Sequence, residues 1–154
     1  MTDLSPPPVD ELCTGLIERD YYMRLLGIEL VTVSRGAATL RMLVRDHHIN
    51  FNGTCHGGAI FSLADGAFGL ASNSHGVLAA GIDTHTCFQA VAKLDDILFA
   101  TASETSRSRR LAVYQVEVKN KEGTLIASFT GTVYITGKPN YDIKDTYDDK
   151  GTAS

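Results

Sequence analysis

Residues 50–73 contain the stretch that decides the fold, Asn-Phe-Asn-Gly-Thr-Cys-His-Gly-Gly-Ala-Ile-Phe-Ser-Leu-Ala-Asp-Gly-Ala-Phe-Gly-Leu-Ala-Ser-Asn. Its first part is polar and rich in glycine, which is typical of a loop. From residue 58 onward, apolar side chains recur at helical spacing and share one face: they are Ile60, Leu63, Ala64, Ala67 and Ala71. Phe61 and Phe68 add a second apolar strip, and a helix that is apolar almost all round is normally buried. The stretch therefore predicts a loop that leads into a buried helix.

The predicted helix carries two features that indicate chemistry. Asp65 lies in its middle, where we expect a buried carboxylate that must be paired or used. Gly57 and Gly58 stand at its start, where the first backbone N–H groups lack helical acceptors and lie at the positive end of the helix dipole. Such groups can bind an anion or a developing oxyanion. The periodicity alone favours a simpler alternative, a packed helix whose Asp65 hydrogen-bonds to neighbouring backbone.

Length and composition indicate one globular domain. The chain has 154 residues, of which 44% are hydrophobic and 21% charged, as in ordinary soluble domains. Its formal net charge of -4 argues against a general nucleic-acid-binding protein. No apolar run reaches the length of a membrane span, and residues 1–8 lack the features of a signal peptide. We therefore expect a cytoplasmic protein with neither a nucleic-acid nor a membrane partner.

The cysteines and histidines do not indicate a metal site. Three scattered cysteines without a Cys-x-x-Cys motif predict neither a disulfide framework nor a zinc ribbon. His47 and His48 are adjacent, but no second ligand pair has suitable spacing, so we interpret them as loop histidines.

The rest of the chain predicts strands on both sides of the central helix. Residues 1–8 are expected to be flexible, residues 9–136 to form the domain, and residues 137–154 to be a disordered tail. One or two short helices are expected before Gly27, and their expected role is structural packing, with the alternative that they cover the mouth of a pocket and carry specificity. The predicted strands cover residues 28–33, 38–44, 79–91, 97–106, 110–120 and 124–136. An apolar helix among antiparallel strands predicts an α+β fold in which a curled sheet wraps around the helix.

Three short segments together resemble a family signature: Thr-Cys-His-Gly-Gly at 54–58, Phe-Ser-Leu-Ala-Asp at 61–65 and Ala-Ser-Asn-Ser at 71–74. They resemble those of hotdog-fold acyl-CoA thioesterases, in particular the PaaI-type branch of phenylacetate degradation, and the resemblance covers about residues 20–136. It implies the hotdog fold, a homodimer that is often paired again into a tetramer, and hydrolysis of an aryl-acetyl-CoA to the free acid and coenzyme A. Because coenzyme A is then part of the substrate, we expect no separate cofactor.

The resemblance also implies roles for four residues. Asp65 corresponds to the general base or nucleophile, and the Gly57 N–H to the oxyanion donor. Asn50 takes the place of a polar residue near the thioester carbonyl, with the alternative that it only holds the turn. His56 is expected to orient the loop rather than to act as a base.

Substrate contacts are expected from two further groups. The acyl pocket is expected to use Phe61, Phe68, Thr86 and Phe88, although all could be core residues and the core role is the favoured single role for the phenylalanines. The phosphates of coenzyme A need cations, and the candidates are Arg107, Arg109 and Arg110, with a solvated turn as the alternative. Two departures from the family pattern stand out: the strand segment 88–91 lacks the Arg and Pro of many relatives, and Gly69 replaces a hydroxyl residue found in some.

Two other functions remain open at this point, an enoyl-thioester hydratase or dehydratase and a non-catalytic acyl-CoA-binding domain. A hydratase would need a catalytic histidine near the helix carboxylate, and His56 fits that position poorly. The spacing of Gly57 and Asp65 makes a further prediction: eight residues of helix separate them by about 12 Å, too far for one chain to offer both to one carbonyl. We therefore expect active sites shared between two chains.

Overall fold

The fold is seen in a computed structural model that describes residues 5–141 of the chain. Its helices are α1 (Val9–Glu18), α2 (Tyr21–Leu25) and α3 (Gly57–Asn73), with a single 3-10 turn at Asp46–His48. Its strands are β1 (Ile28–Ser34), β2 (Ala37–Leu43), β3 (Val77–Phe88), β4 (Ile97–Arg107), β5 (Leu111–Asn120) and β6 (Leu125–Pro139). Among residues 5–141, no helix is both long and apolar enough to cross a membrane.

All six strands form one antiparallel sheet in the order β1-β2-β4-β5-β6-β3, and α3 packs across one of its faces. Side chains alternate along the strands, so that Leu40 and Met42 of β2 and Val116 and Val118 of β5 are buried beneath α3. The prediction of an α+β fold with a sheet around one central helix is confirmed.

Most predicted boundaries agree with the structure to within two or three residues, but the C-terminal one was wrong. The predicted tail began at residue 137, whereas β6 continues to Pro139. Asn140 is fully buried and its side-chain amide donates to the backbone oxygen of Asn73, 2.9 Å away. This bond ties the end of β6 to the end of α3. Residues 1–4 and 142–154, for which flexibility was predicted, lie outside the described residues.

The two short N-terminal helices pack both against α3 and against the edge strand β1. Met23 of α2 is buried over Gly66, where a Cβ would lie only 1.8 Å from the methionine methyl carbon. The Tyr22 hydroxyl lies 3.2 Å from the Ser62 hydroxyl of α3. Gly27 follows α2 in the left-handed region, with a φ of 70°, as expected for a residue that closes a helix.

Strand β3 is an edge of the sheet, since it pairs only with β6. From Ala80 to Phe88 most of its side chains are exposed, and Ile82 and Phe88 are more than half exposed. An edge of this length with apolar side chains is a template for pairing with another strand.

Candidate active site

The start of α3 provides a free backbone donor. His56 is the N-cap residue, and its Nδ1 accepts a hydrogen bond of 2.8 Å from the Gly58 N–H. This bond fixes the ring with its proton on Nε2 when the imidazole is neutral. The Gly57 N–H, at the first helical position, donates to no group among residues 5–141. The predicted oxyanion donor is therefore open, while its neighbour serves the cap.

Phe88 lies directly beside this donor. A Cβ built on Gly57 would be 3.3 Å from the Cζ atom of the Phe88 ring, tighter than most such contacts. The ring is half exposed and belongs to the last residue of β3. The fold thus brings together Gly57 and Phe88, two predicted site residues that are 31 positions apart in the chain.

Asn50 holds the loop that precedes α3. Its Oδ1 accepts from the N–H groups of Asn52 (2.9 Å) and Thr54 (3.2 Å), and from the Thr54 hydroxyl (3.3 Å). The Asn50 side-chain oxygen therefore holds the turn, as the alternative interpretation of this residue expected. Its Nδ2 has no acceptor within the part of the chain that the structure describes, so the same side chain still offers a donor.

His48 anchors this loop from behind, a role that the sequence interpretation missed. The residue is buried, Nδ1 accepts from the Arg45 N–H at 2.9 Å, and Nε2 lies 2.9 Å from the Leu26 oxygen. Burial, with smaller contributions from His47 and Arg45, lowers the pKa of His48. A neutral ring is what this geometry requires, because Nδ1 must accept while Nε2 donates.

Asp65 is not buried in the single chain, contrary to the prediction. Its side chain is exposed. It lies at the floor of a groove, however, where surrounding protein atoms partly desolvate the carboxyl and raise its pKa, and the nearby charge of Asp20 raises the pKa further. A raised pKa beside a cleft is typical of a functional carboxyl.

The groove at Asp65 runs between α3 and the N-terminal helices and has a volume of about 310 Å³. Its α3 side is formed by Ser62, Asp65 and Gly69, and its opposite wall by residues of α1 and α2. The sequence interpretation favoured structural packing for α1 and α2 over the alternative that they cover the pocket mouth, and the structure shows that they also border the candidate carboxylate. Only the tertiary contacts of Tyr22 and Met23 show this placement.

The remaining predicted acyl-pocket residues occupy different environments. Phe68 is only 2% exposed and packs against Tyr114 and Phe129, which is the core role that the sequence interpretation favoured for the phenylalanines. Phe61 is half-buried, with its ring centre 5.6 Å from that of Phe129. The Thr86 hydroxyl oxygen is buried and has no hydrogen-bond partner among residues 5–141.

The three arginines are not equivalent. Arg107 pairs with Glu104 at 3.2 Å, and the same carboxylate accepts from the Tyr114 hydroxyl and contacts His75 at 3.0 Å. Arg107 is thus part of an ion-pair cluster rather than a free cation. The Arg110 guanidinium donates to the Tyr134 hydroxyl at 2.7 Å. Arg109 is exposed and makes no hydrogen bond or ion pair within residues 5–141.

These arginines lie near the C-terminal end of α3, whereas Gly57 of the same chain lies at its N-terminal end. His75, which directly follows α3, contacts Glu104 beside Arg107. A helix of 17 residues separates that end from Gly57, which is about 24 Å along its axis. Within one chain, the oxyanion donor and the arginine cluster therefore stay apart.

Sequence comparisons identify related proteins over most of the chain. Residues 52–127 match the thioesterase superfamily. A putative esterase of Archaeoglobus fulgidus is 41% identical over 126 residues, covering 82% of each chain. The acyl-coenzyme A thioesterase PaaI of Escherichia coli is 33% identical over 123 residues, covering 80% of this chain and 88% of the relative.

Structure comparisons agree with these matches. The E. coli PaaI structure, from the phenylacetic acid degradation operon, superposes with a TM-score of 0.84 and 30% identity, covering 86% of this chain and 96% of that one. A Streptococcus mutans protein solved with acetyl CoA bound superposes with a TM-score of 0.71 and 30% identity, covering 73% and 91%.

Proposed function

Because the chain belongs to the thioesterase superfamily, as a hotdog-fold acyl-CoA thioesterase of the PaaI type, we propose that it hydrolyses aryl-acetyl thioesters of coenzyme A at sites shared by two chains. The observation that carries this proposal is the free Gly57 N–H at the tip of α3, together with a carboxylate on the same helix. The aryl-acetyl preference is supported by the likeness to the E. coli protein of the phenylacetic acid operon.

The proposed chemistry uses Gly57 and Asp65 at one thioester carbonyl. The Gly57 N–H donates to the carbonyl oxygen and stabilises the negative charge that develops there. Asp65 either takes a proton from an attacking water or attacks the carbonyl carbon itself, and the anhydride formed on the second route is then hydrolysed. On both routes the C–S bond breaks, the thiolate takes up a proton, and the products are the acid and coenzyme A.

A twofold dimer can bring Gly57 of one chain to Asp65 of the other, although the two residues are far apart within one chain. In α3, which runs antiparallel to β3, Gly57 lies beside Phe88 while Phe68 lies beside Gly81. If two β3 edges pair antiparallel around residues 83–88, the α3 start of each chain approaches the middle of its partner's α3. Gly57 of one chain then meets Asp65 of the other, twice per dimer. A dimer of such dimers is the assembly expected from the resemblance.

The dimer also accounts for how the arginines could bind the phosphates of coenzyme A at the shared site. They lie at the C-terminal end of α3, which the antiparallel arrangement brings toward the partner's α3 start. Arg109 and Arg110 are exposed and suit the phosphates of coenzyme A, whereas Arg107 is engaged by Glu104. Thr86 and Phe88 share one face of β3 beside Gly57, so the Thr86 hydroxyl, which has no hydrogen-bond partner among residues 5–141, is a candidate donor near the thioester.

A small substrate panel tests the proposal. Phenylacetyl-CoA, acetyl-CoA and crotonyl-CoA are followed in parallel for thiol release and for loss of the enoyl double bond. We expect thiol release, fastest with phenylacetyl-CoA. Hydration of crotonyl-CoA without thiol release would instead identify a hydratase, and tight binding without turnover would identify an acyl-CoA-binding protein.

A further inference from the structure

We propose that the groove between α3 and the N-terminal helices holds the acyl group of the substrate, and that the open space over Gly69 sets the size of the acyl group that is accepted. The inference rests on the proposed function and names the part of the same site that selects the substrate. It gives α1 and α2 a role in specificity in addition to packing.

Continuity with Asp65 is the first argument. The carboxylate lies on the floor of the groove, and Gly69 follows it by one helical turn on the same face of α3. An acyl group whose carbonyl carbon is within reach of Asp65 must extend along α3 in one direction or the other. Toward Gly69 it meets free space, since a Cβ built at that position has no atom of residues 5–141 within 4 Å.

Gly66 lies on the same face of α3 as Gly69 but differs from it in how closely other side chains pack over it. The space over Gly66 is already filled by Met23, whose sulfur and methyl carbon lie 2.6 and 1.8 Å from a Cβ built there. The chain therefore packs its own side chain onto one glycine of this face and leaves the other open. Stable packing of α2 accounts for the Gly66 contact but does not account for an open notch beside a carboxylate with a raised pKa.

The third argument is the chemistry of the walls. The groove that includes Gly69 has apolar lining from Leu16 and Ile17 of α1, Leu70 of α3 and Leu78 of β3. Its polar lining comes from Asp20, Ser62 and Asp65, and from Asn73 one helical turn beyond Gly69. At about 310 Å³ the groove falls at the small end of the range for small-molecule pockets, about 300–1,000 Å³. Such a site suits a compact apolar acyl group such as phenylacetyl.

Tyr22 closes the groove toward the α3 start. Its hydroxyl lies 3.2 Å from the Ser62 hydroxyl, which in turn donates to the Gly58 oxygen at 2.7 Å. Tyr22 and Ser62 both line the groove, so their contact occupies the end nearest the α3 start, while the space over Gly69 stays open to the acyl group.

The test replaces Gly69 with leucine and uses Gly15→Leu as the matched control. Gly15 also lies within a helix and also has no atom within 4 Å of a built Cβ, but it does not line the groove. We expect Gly69→Leu to lower the ratio of kcat/KM for phenylacetyl-CoA to that for acetyl-CoA at least tenfold, and Gly15→Leu to leave this ratio unchanged. An unchanged ratio in a folded Gly69→Leu protein would overturn the inference.

A binding measurement makes the test independent of turnover. Phenylacetamide carries the aryl group and a neutral carbonyl without a thioester, and its contact with the protein is followed by ligand-observed NMR. We expect binding to wild type and to Gly15→Leu, and loss of binding to Gly69→Leu. If wild type binds phenylacetamide but hydrolyses no acyl-CoA, the proposed function fails while the acyl subsite stands.

The oligomeric state of the Gly69→Leu variant tests the alternative that a second copy of the chain, and not the acyl group, fills the groove. If a second copy of the chain covers the space over Gly69, Gly69→Leu should convert dimers to monomers in size-exclusion chromatography, and the inference would be wrong. If the leucine variant does not fold, Gly69→Ala takes its place. That change adds one methyl group to the open space, and the propensity of alanine favours the helix, so a smaller shift in the same ratio is expected.

Discussion

At the residue scale, the first turn of α3 divides its backbone donors between two tasks. The Gly58 N–H binds His56, and the Gly57 N–H remains free beside Phe88. His56 has a φ of -60° and a ψ of 133°, which is the backbone conformation that a following proline prefers. Proline is also well tolerated at the first helical position. The donor can therefore be removed without breaking the helix.

Gly57→Pro should lower kcat about 100- to 1,000-fold, because it removes the N–H that stabilises the oxyanion. Gly57→Ala is the control, since it adds a Cβ against Phe88 but keeps the N–H. Steady-state kinetics on the best substrate and circular dichroism of both variants provide the measurement. Equal losses of kcat in the two variants would show that crowding by the added Cβ, and not the loss of the N–H donor, lowers the activity.

A second residue-scale prediction concerns the pKa of Asp65. Burial raises this pKa most and the charge of Asp20 adds to it. Asp20→Asn removes that charge, so the pKa of Asp65 falls and the ionised, active form persists to lower pH. The acid limb of the kcat/KM profile should therefore shift to lower pH. Asparagine can still cap α2, where Asp20 Oδ1 now accepts from the Met23 N–H at 3.0 Å.

The control for this shift is Glu117→Gln, which removes one charge from the exposed face of β5. It should leave the acid limb in place. If both variants move the limb equally, the cause is overall net charge and not the neighbourhood of Asp20 and Asp65.

At the element scale, a cluster around Glu104 connects β4 with β5 and with the end of α3. Glu104 contacts His75, Arg107 and Tyr114, three residues from three different parts of the chain. Burial alone would raise the pKa of Glu104, but the bonds from Tyr114, His75 and Arg107 together lower it. The cluster therefore favours the ionised carboxylate in the folded state.

This pKa shift has a defined consequence for stability. Because the folded-state pKa of Glu104 is below its unfolded value, the stabilisation is complete above the unfolded pKa of about 4.5 and is lost as the pH falls through the folded pKa. Glu104→Gln should lower the free energy of unfolding at pH 7, and by less at pH 3. Urea unfolding at the two pH values measures this, with Glu117→Gln as the exposed control. An equal loss at both would exclude an ionic contribution.

At the scale of the whole molecule, the shared site predicts complementation. Asp65→Asn and Gly57→Pro should each be inactive alone, since every site then lacks one group. In a mixed dimer, the Gly57 of the first chain meets the Asp65 of the second, so one of two sites is intact. Random exchange makes half the dimers mixed, so about a quarter of wild-type activity should return.

Chain exchange must be shown independently, for example by native mass spectrometry of the two variants. Absence of recovered activity despite exchange would contradict the shared site. Full activity of an isolated wild-type monomer would contradict it as well.

The central helix, the antiparallel strands around it and the position of the helix N-terminus at Gly57 could all be predicted from the amino-acid sequence. These features follow from local rules: side-chain periodicity marks the buried face, and Gly57 and His56 carry the cap chemistry within adjacent residues. The family signature lies in the same short stretch, which is why the fold and the enzyme class could be predicted together.

The surroundings of these features could be seen only in the tertiary structure. Asp65 lies exposed at the groove beside α1 and α2, whereas Phe68 packs on Phe129 of β6 in the core. Tyr22 meets Ser62 across 40 residues of sequence, and His75 meets Glu104 across 29. Such contacts depend on how the sheet curls and where the helices lie on it. No local period encodes that arrangement, because each contact follows from the packing of the whole core.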